Sequence, residues 1–273
     1  MAVQSPALTV MITAARKAAR SLARDFGEVE NLQVSVKGAG DFVSAADTRA
    51  EQIIRDELMR ARPAYGWLGE ESGEEPGRDP TRWWIVDPLD GTTNFLHGLP
   101  HFAISIALEQ KGEIVAAVIL DPAKEELFTA EKGGGAFMND RRLRVSARRE
   151  MSEALLATGV PFGAKRTLPI TLRELARLMP MTAGVRRFGS AALDLAYVAA
   201  GRYDGFWERE IEAWDMAAGI LIAREAGALV ADLAPDSSQG AAAGQDMLER
   251  GDVIAATPEI FPKLRAELGR GDA

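Results

Sequence analysis

Along the chain, apolar residues recur first at helical and then at strand spacing. Leu8, Met11, Ala15, Ala18, Leu22 and Phe26 fall on one face of a helix, with Arg16, Lys17, Arg20 and Arg24 between them. Val34 to Lys37 reads as a short strand and Gly38 to Asp41 as a turn. Ile53, Ile54, Leu58 and Met59 return to helical spacing, opened by Thr48 and Glu51 as a capping box and closed at Arg62-Pro63. Trp67-Leu68 is a short apolar strand running into Gly69-Glu70-Glu71-Ser72. Trp83 to Val86 is a second, expected to stop at Asp87-Pro88 because proline has no N–H for a sheet ladder. Phe102, Ile104, Ile106 and Leu108, then Ile114 to Leu120, Leu127 to Ala130 and Ala136 to Met138 predict an antiparallel meander with tight turns at Lys111-Gly112, Asp121-Pro122 and Gly133 to Gly135.

From about Ala154 the texture changes to alternating strands and helices. Strands are predicted at Leu155 to Thr158, Val185 to Phe188, Phe206-Trp207, Leu229-Val230 and Val253 to Ala256. Helices are predicted near Leu168 to Met179, at Ala191 to Ala200 and at Met216 to Ala226, and residues 236 to 251 read as a surface loop. No linker separates the two textures, so the expectation is a single unit, 1–273, with an N-terminal subregion of about 1–150 and a C-terminal α/β subregion of about 151–273 packed against it.

Composition narrows the chemistry. Apolar content of 47% and charged content of 26% are those of an ordinary globular protein, no apolar run is long enough to span a bilayer, and the N-terminus lacks a signal pattern. A cytoplasmic location without membrane attachment is the expectation. With no cysteine, disulfides, thiolate metal sites and cysteine nucleophiles are excluded. The net charge of −8 argues against general nucleic-acid affinity, although Arg141, Arg142, Arg144, Arg148 and Arg149 form one dense basic segment. Leu143 and Val145 alternate with that charge as in an exposed strand, and a solvated face explains the arginines sufficiently.

The acids at strand ends are the candidate chemistry. Asp87 and Asp90 share one bend with Gly91, Thr92, Thr93 and Asn94, and two carboxylates in one bend call for a cation between them; hard oxygen ligands select magnesium, calcium or manganese. Glu70 follows a strand in the same manner. Asp47 by its pattern is adequately explained as a helix-cap residue, and Asp215, opening the run Met216 to Leu221, as an N-cap. The triple glycine lacks the lysine and hydroxyl of a phosphate loop and reads as a bend.

Taken together, Gly69-Glu70-Glu71-Ser72, Trp84 to Asn94 and Trp214-Asp215-Met216-Ala217-Ala218-Gly219 with Glu225-Ala226-Gly227 resemble the inositol monophosphatase family of magnesium-dependent, lithium-sensitive phosphatases. The resemblance covers nearly the whole chain. It implies an α+β fold, a layered αβαβα sandwich of the sugar-phosphatase type, and a homodimer. It implies two or three Mg2+ per site: Glu70, Asp87 and the Leu89 carbonyl at one, Asp87 with Asp90 and Asp215 at a second, and Glu70 through water at a third. By the same resemblance Thr92, paired with Asp47, orients and deprotonates the attacking water, and Glu70 belongs to the catalytic set. Gly91, Thr92, Gly189, Ser190, Ala191 and Glu208 match substrate-contacting positions. Ser190 stands where the family usually has threonine, and a surface carboxylate explains Glu208 equally well.

The implied substrate is myo-inositol monophosphate or a similar small polyol phosphate, with histidinol phosphate, nucleotide bisphosphates and fructose bisphosphate as alternatives inside the family. An aspartyl-phosphate mechanism does not match, because its acids are one residue apart whereas Asp87 and Asp90 are separated by Pro88 and Leu89. A role as an interaction protein of the transcription machinery is the alternative of another class. His97 and His101 are not expected ligands.

Overall fold

The structure, a computed structural model, describes residues 4–28, 34–38, 41–161, 166–233 and 243–270. It opens with helix α1 (Pro6–Phe26), a two-stranded ribbon of β1 (Val34–Gly38) and β2 (Asp41–Ser44), and helix α2 (Ala45–Ala61). Strands β3 (Tyr65–Gly69), β4 (Gly73–Glu75) and β5 (Asp79–Asp90) follow, then the short helix α3 (Thr92–Leu96). The meander is β6 (Ala103–Gln110), β7 (Glu113–Asp121), β8 (Glu126–Glu131), β9 (Gly135–Met138) and β10 (Arg141–Arg142). Together these form one eight-stranded sheet in the order β10-β9-β8-β7-β6-β5-β3-β4, antiparallel except where β3 runs parallel to β5.

The second half supplies β11 (Leu155–Thr158), α4 (Leu168–Leu178), β12 (Gly184–Arg186), α5 (Ala191–Ala199), β13 (Gly205–Glu208) and α6 (Ala213–Glu225). It ends with β14 (Leu229–Asp232), α7 (Ala243–Arg250), β15 (Val253–Ala256) and α8 (Phe261–Gly269). Its five strands make a mixed sheet ordered β12-β11-β13-β15-β14. The layers are α1 and α2, the first sheet, α5 and α6, the second sheet, and α4 with α8: the expected αβαβα sandwich.

Both faces of the first sheet are buried, which is why its strands read as nearly continuous apolar runs. Trp84, Val86, Ile104, Ile106, Val118 and Leu120 pack under α1 and α2. Ile85, Ala103, Ala107, Ala117 and Ile119 face the opposite way, against α5 and α6. Those two helices are buried around their whole circumference, from Ala191 to Ala199 and from Met216 to Ala223, as a helix enclosed between two sheets is, and apart from Asp194 and Tyr197 of α5 the buried side chains are apolar. A third cluster, with Leu156, Trp207, Ile254, Leu178 and Leu264, lies between the second sheet and the outer helices.

Several local expectations change. Strand β5 does not stop at Val86 but continues to Asp90 through a bulge, since Asp87 pairs with Ser105 while Asp90 pairs with Ala103. Pro88 is tolerated there because the ladder is already interrupted. Helix α2 starts at Ala45, so Thr48 lies inside it and is no capping residue. Of the segment expected as a loop, residues 243–250 form α7, with Met247 buried; residues 236–242 lie outside the described residues. Only Arg141 and Arg142 of the arginine segment pair as a strand, and Leu143 is buried rather than displayed.

Candidate metal centre

The acids meet where the C-terminal ends of β3 and β5 lie side by side. Because the two strands are parallel, with Gly69 opposite Val86, Glu70 leaves β3 next to Asp87, and its N–H donates to the Val86 carbonyl at 3.1 Å. The bulge turns Asp90 back towards Asp87, and Asp87 Oδ1 accepts the Leu89 N–H at 2.8 Å. Gly91 then takes φ 95°, a left-handed conformation that favours glycine, and starts α3. Asp215 arrives from the other side of the sheet on α6. It is the third helical residue, not the N-cap: Glu212 occupies the cap, and Asp215 Oδ2 accepts the Glu212 N–H at 2.8 Å. The Ser105 hydroxyl donates to the Trp214 carbonyl at 3.0 Å, which ties this helix start to β6.

Asp87, Asp90 and Asp215 each bring a carboxylate oxygen within 4.8 Å of the others. Burial, followed by the charges of Glu70, Asp90 and Asp215, pushes Asp87 well above the usual carboxylate range. Burial and the Asp90 charge do the same to Asp215, with Glu70 and Glu208 adding to it. Asp90 is pushed up by burial to about 6, held down in part by hydrogen bonds from Ser190 and the start of α5. None of the three aspartates has an arginine or lysine ion pair among the described residues. A compact set of carboxylates that repel one another, Asp87 and Asp90 buried and Asp215 half-buried, all oxygen donors, fits a hard divalent cation.

Asp90 is fastened across the layers. Its Oδ2 accepts the Ser190 hydroxyl at 2.6 Å and the Ala192 N–H at 2.8 Å, so it lies on the N-terminus of α5 where the helix dipole favours negative charge. Ser190 is also the N-cap of α5. Asn94, which sequence reasoning gave no role beyond a turn, donates to the carbonyls of His101 at 2.8 Å and Phe188 at 2.7 Å, and so sets the Gly189 turn beside α3.

Thr92 Oγ1 lies 3.0 Å from Asp47 Oδ1 and 3.0 Å from the Leu89 carbonyl. One hydroxyl proton serves only one of these acceptors at a time. Asp47 is wholly buried in the first turn of α2, so two distant segments put this pair together. Gly189 and Ala191 flank Ser190, and the Gly189 carbonyl closes on Gly91: a Cβ on Gly91 would lie 3.2 Å from it. Glu208, at the end of β13, faces the same region, since its charge raises both Asp215 and Asp194. Asp194, one turn into α5 and fully buried, is a further acid that no sequence signal singled out.

Other candidates lie elsewhere. His97 is exposed at the end of α3, and His101 packs against Phe188 and Tyr197, with burial pushing it down to about 4. The triple glycine binds an internal carboxylate, as Gly133 and Gly135 donate N–H groups to Glu225 at 2.7 Å each.

Known proteins share this sequence and fold. Residues 3–270 match the sequence profile of the inositol monophosphatase family. The chain is 57% identical over 267 residues to a protein named inositol-1-monophosphatase from Rhizobium meliloti, covering 98% of this chain and 97% of that one. It is 45% identical over 263 residues to a Pseudomonas aeruginosa protein named Nus factor SuhB, covering 95% and 94%. The crystal structure of extragenic suppressor protein suhB from Bartonella henselae superposes with a TM-score of 0.91 at 55% identity, over 98% of this chain and all of that one. By sequence profile, close relatives and layered fold alike, the chain belongs to the inositol monophosphatase family.

Proposed function

We propose that this protein is a magnesium-dependent phosphomonoester hydrolase acting on myo-inositol monophosphate or a similar small polyol phosphate. The observation that carries the reading is the convergence of Asp87 and Asp90 from β5 and Asp215 from α6, with a carboxylate oxygen of each within 4.8 Å of the others. Glu70, Asp87 and the Leu89 carbonyl would hold one magnesium; Asp87, Asp90 and Asp215 would hold a second, and Glu70 through water would help to hold a third. Bound there, magnesium supplies screening of the phosphate oxygens, a lowered pKa for a coordinated water and stabilisation of the departing alkoxide.

The chain's own residues do the rest. With its hydroxyl donating to Asp47, Thr92 leaves its oxygen free to accept from the attacking water and to point it at phosphorus. The Gly91 and Thr92 N–H groups, at the start of α3, would hold phosphate. Asp90 cannot rotate away, because Ser190 and Ala192 hold one of its oxygens. Gly189, Ser190 and Ala191 form the wall on which the polyol would lie, and Glu208 would accept hydrogen bonds from its hydroxyls. Histidinol phosphate, nucleotide bisphosphates and fructose bisphosphate are the alternative substrates. A homodimer in the cytoplasm belongs to the same reading.

The experiment is turnover of all four ester classes with and without a chelator. The expected result is hydrolysis fastest on inositol phosphate, abolished by magnesium removal and inhibited by lithium. Unchanged activity after exhaustive chelation would remove the metal from the mechanism. A second reading, a transcription-associated interaction role, is favoured by the Pseudomonas relative's name and by exposed Arg141 and Arg142. It is tested by an Arg141→Ala/Arg142→Ala double variant, which in that case loses a cellular phenotype while retaining hydrolysis.

A further inference from the structure

Helix α2 carries Asp47, Glu51 and Arg55 at intervals of four, hence along one face. Asp47 meets Thr92 at 3.0 Å. At the far end Arg55 pairs with Glu75 of β4 and lies over the Trp67 ring, 5.5 Å from its centroid. Glu51 stands between them, only 4% exposed, and its Oε2 accepts the Glu71 N–H at 2.9 Å.

That N–H belongs to the three-residue turn, Glu70 to Ser72, that joins β3 to β4. The turn is pinned at every residue. Glu70 donates its N–H to the Val86 carbonyl at 3.1 Å, Glu71 donates to Glu51, and Ser72 Oγ accepts the Trp67 indole N–H at 2.8 Å. Gly69 leaves the space for this arrangement: a Cβ there would lie 2.6 Å from Glu51 Oε2 and 2.5 Å from Trp67 Nε1. A buried carboxylate is costly to keep unless it is hydrogen-bonded or paired. Its hydrogen bond to the turn gives it a use that an apolar side chain of similar volume could not supply.

We infer that Glu51 is a positioning residue for Glu70: through the Glu71 N–H it fixes the turn that aims the Glu70 carboxylate at Asp87. The inference rests on Glu70 holding a divalent cation, as proposed above. Helix α2 then orients two parts of the site at once, Thr92 through Asp47 and Glu70 through Glu51, one turn apart.

The test is Mn2+ binding to the metal-free full-length protein, followed by electron paramagnetic resonance, so that no turnover is needed. Glu51→Leu, which keeps bulk but no acceptor, is expected to weaken binding by about 10-fold or more, the range seen when groups that orient metal ligands are removed. Glu51→Gln keeps an acceptor oxygen and is expected to retain the binding that the leucine variant loses. Gly69→Ala, which pushes on the same contact from the other side, is expected to weaken binding too, and it decides the matter if the leucine variant does not fold. Glu70→Gln calibrates the series. If Glu70→Gln weakens Mn2+ binding while Glu51→Leu and Gly69→Ala do not, the positioning role is wrong. If Glu51→Gln is as weak as Glu51→Leu, charge rather than the hydrogen bond is at work, and the role is equally wrong. If Glu70→Gln itself binds Mn2+ normally, Glu70 is no ligand and the inference falls with that reading.

Discussion

The two sheets bury acids in opposite ways. Beside the second sheet, Glu174 on α4 is fully buried and meets Arg209 at 2.6 and 3.1 Å and the Trp207 indole N–H at 3.0 Å, while Arg209 reaches on to Asp252 at 3.4 Å. Asp232 pairs with Arg250 at 3.1 Å, and Asp204 with Arg148 at 3.2 Å. At the end of the first sheet Asp87, Asp90 and Asp215 have each other, and their affinities for protons rise accordingly. All are carboxylates, with Glu174, Asp232, Asp204, Asp87 and Asp90 buried and Asp215 half-buried. What differs is the compensating positive charge: in one place a guanidinium of the chain supplies it, in the other the described residues supply none, and the cluster is one that could bind a metal ion.

That contrast can be broken most severely at its centre. Asp87→Asn is expected to abolish hydrolysis yet to raise the thermal stability of the metal-free protein, because it removes one of several repelling charges. Glu174→Leu is expected to do the reverse in kind, lowering stability by about 3–5 kcal/mol by leaving a buried arginine short of its main partner. Melting curves of both in chelator check the pair; a metal-free Asp87→Asn that melts below wild type would show that the acids are compensated by something other than a bound cation.

A smaller effect is expected from Thr92→Val, which removes the hydroxyl between Asp47 and the Leu89 carbonyl. If that hydroxyl orients the attacking water, kcat falls by about 100-fold or more, with Mn2+ affinity nearly unchanged. Equal loss in metal affinity would mean instead that Thr92 mainly supports Leu89.

The mildest effect is that of pH. Asp90 in the metal-free protein titrates at about 6, above the ordinary aspartate value, so the folded state holds this proton more tightly than the unfolded chain does. Through this group the metal-free protein therefore loses stability as pH rises from about 4 through about 6. If magnesium binds at Asp90 as proposed, it displaces the same proton, and its apparent affinity is expected to fall as pH drops from 7 to 5. Calorimetric titration at the two values measures it, and Asp90→Asn should flatten part of the dependence.

Much of the fold was legible locally. The meander could be read because turn residues and apolar strands alternate within a few positions, and α5 and α6 because each is a long, mainly apolar run rich in helix-forming residues. Where local reading failed, a contact from elsewhere decided the outcome. Strand β5 runs on past Pro88 because β6 supplies a partner on the far side of the bulge. Thr48 is no cap because α2 starts earlier, and Glu51, a good capping residue by sequence, is occupied by the Glu71 N–H. Ser190 shows the limit most clearly: it fits a helix cap by type and a substrate contact by resemblance, and its hydroxyl lies 2.6 Å from Asp90.

By itself the sequence determined most of the longer elements, the acids near their ends and the family, since periodicity, turn chemistry and motif spacing are properties of short segments. Only the tertiary structure decided that carboxylate oxygens of Asp87, Asp90 and Asp215 come within 4.8 Å of one another and that Asp47 reaches Thr92. Those distances depend on how helices α2, α5 and α6 dock on the first sheet, and such packing is a sum of many contacts between layers that no single stretch of chain contains.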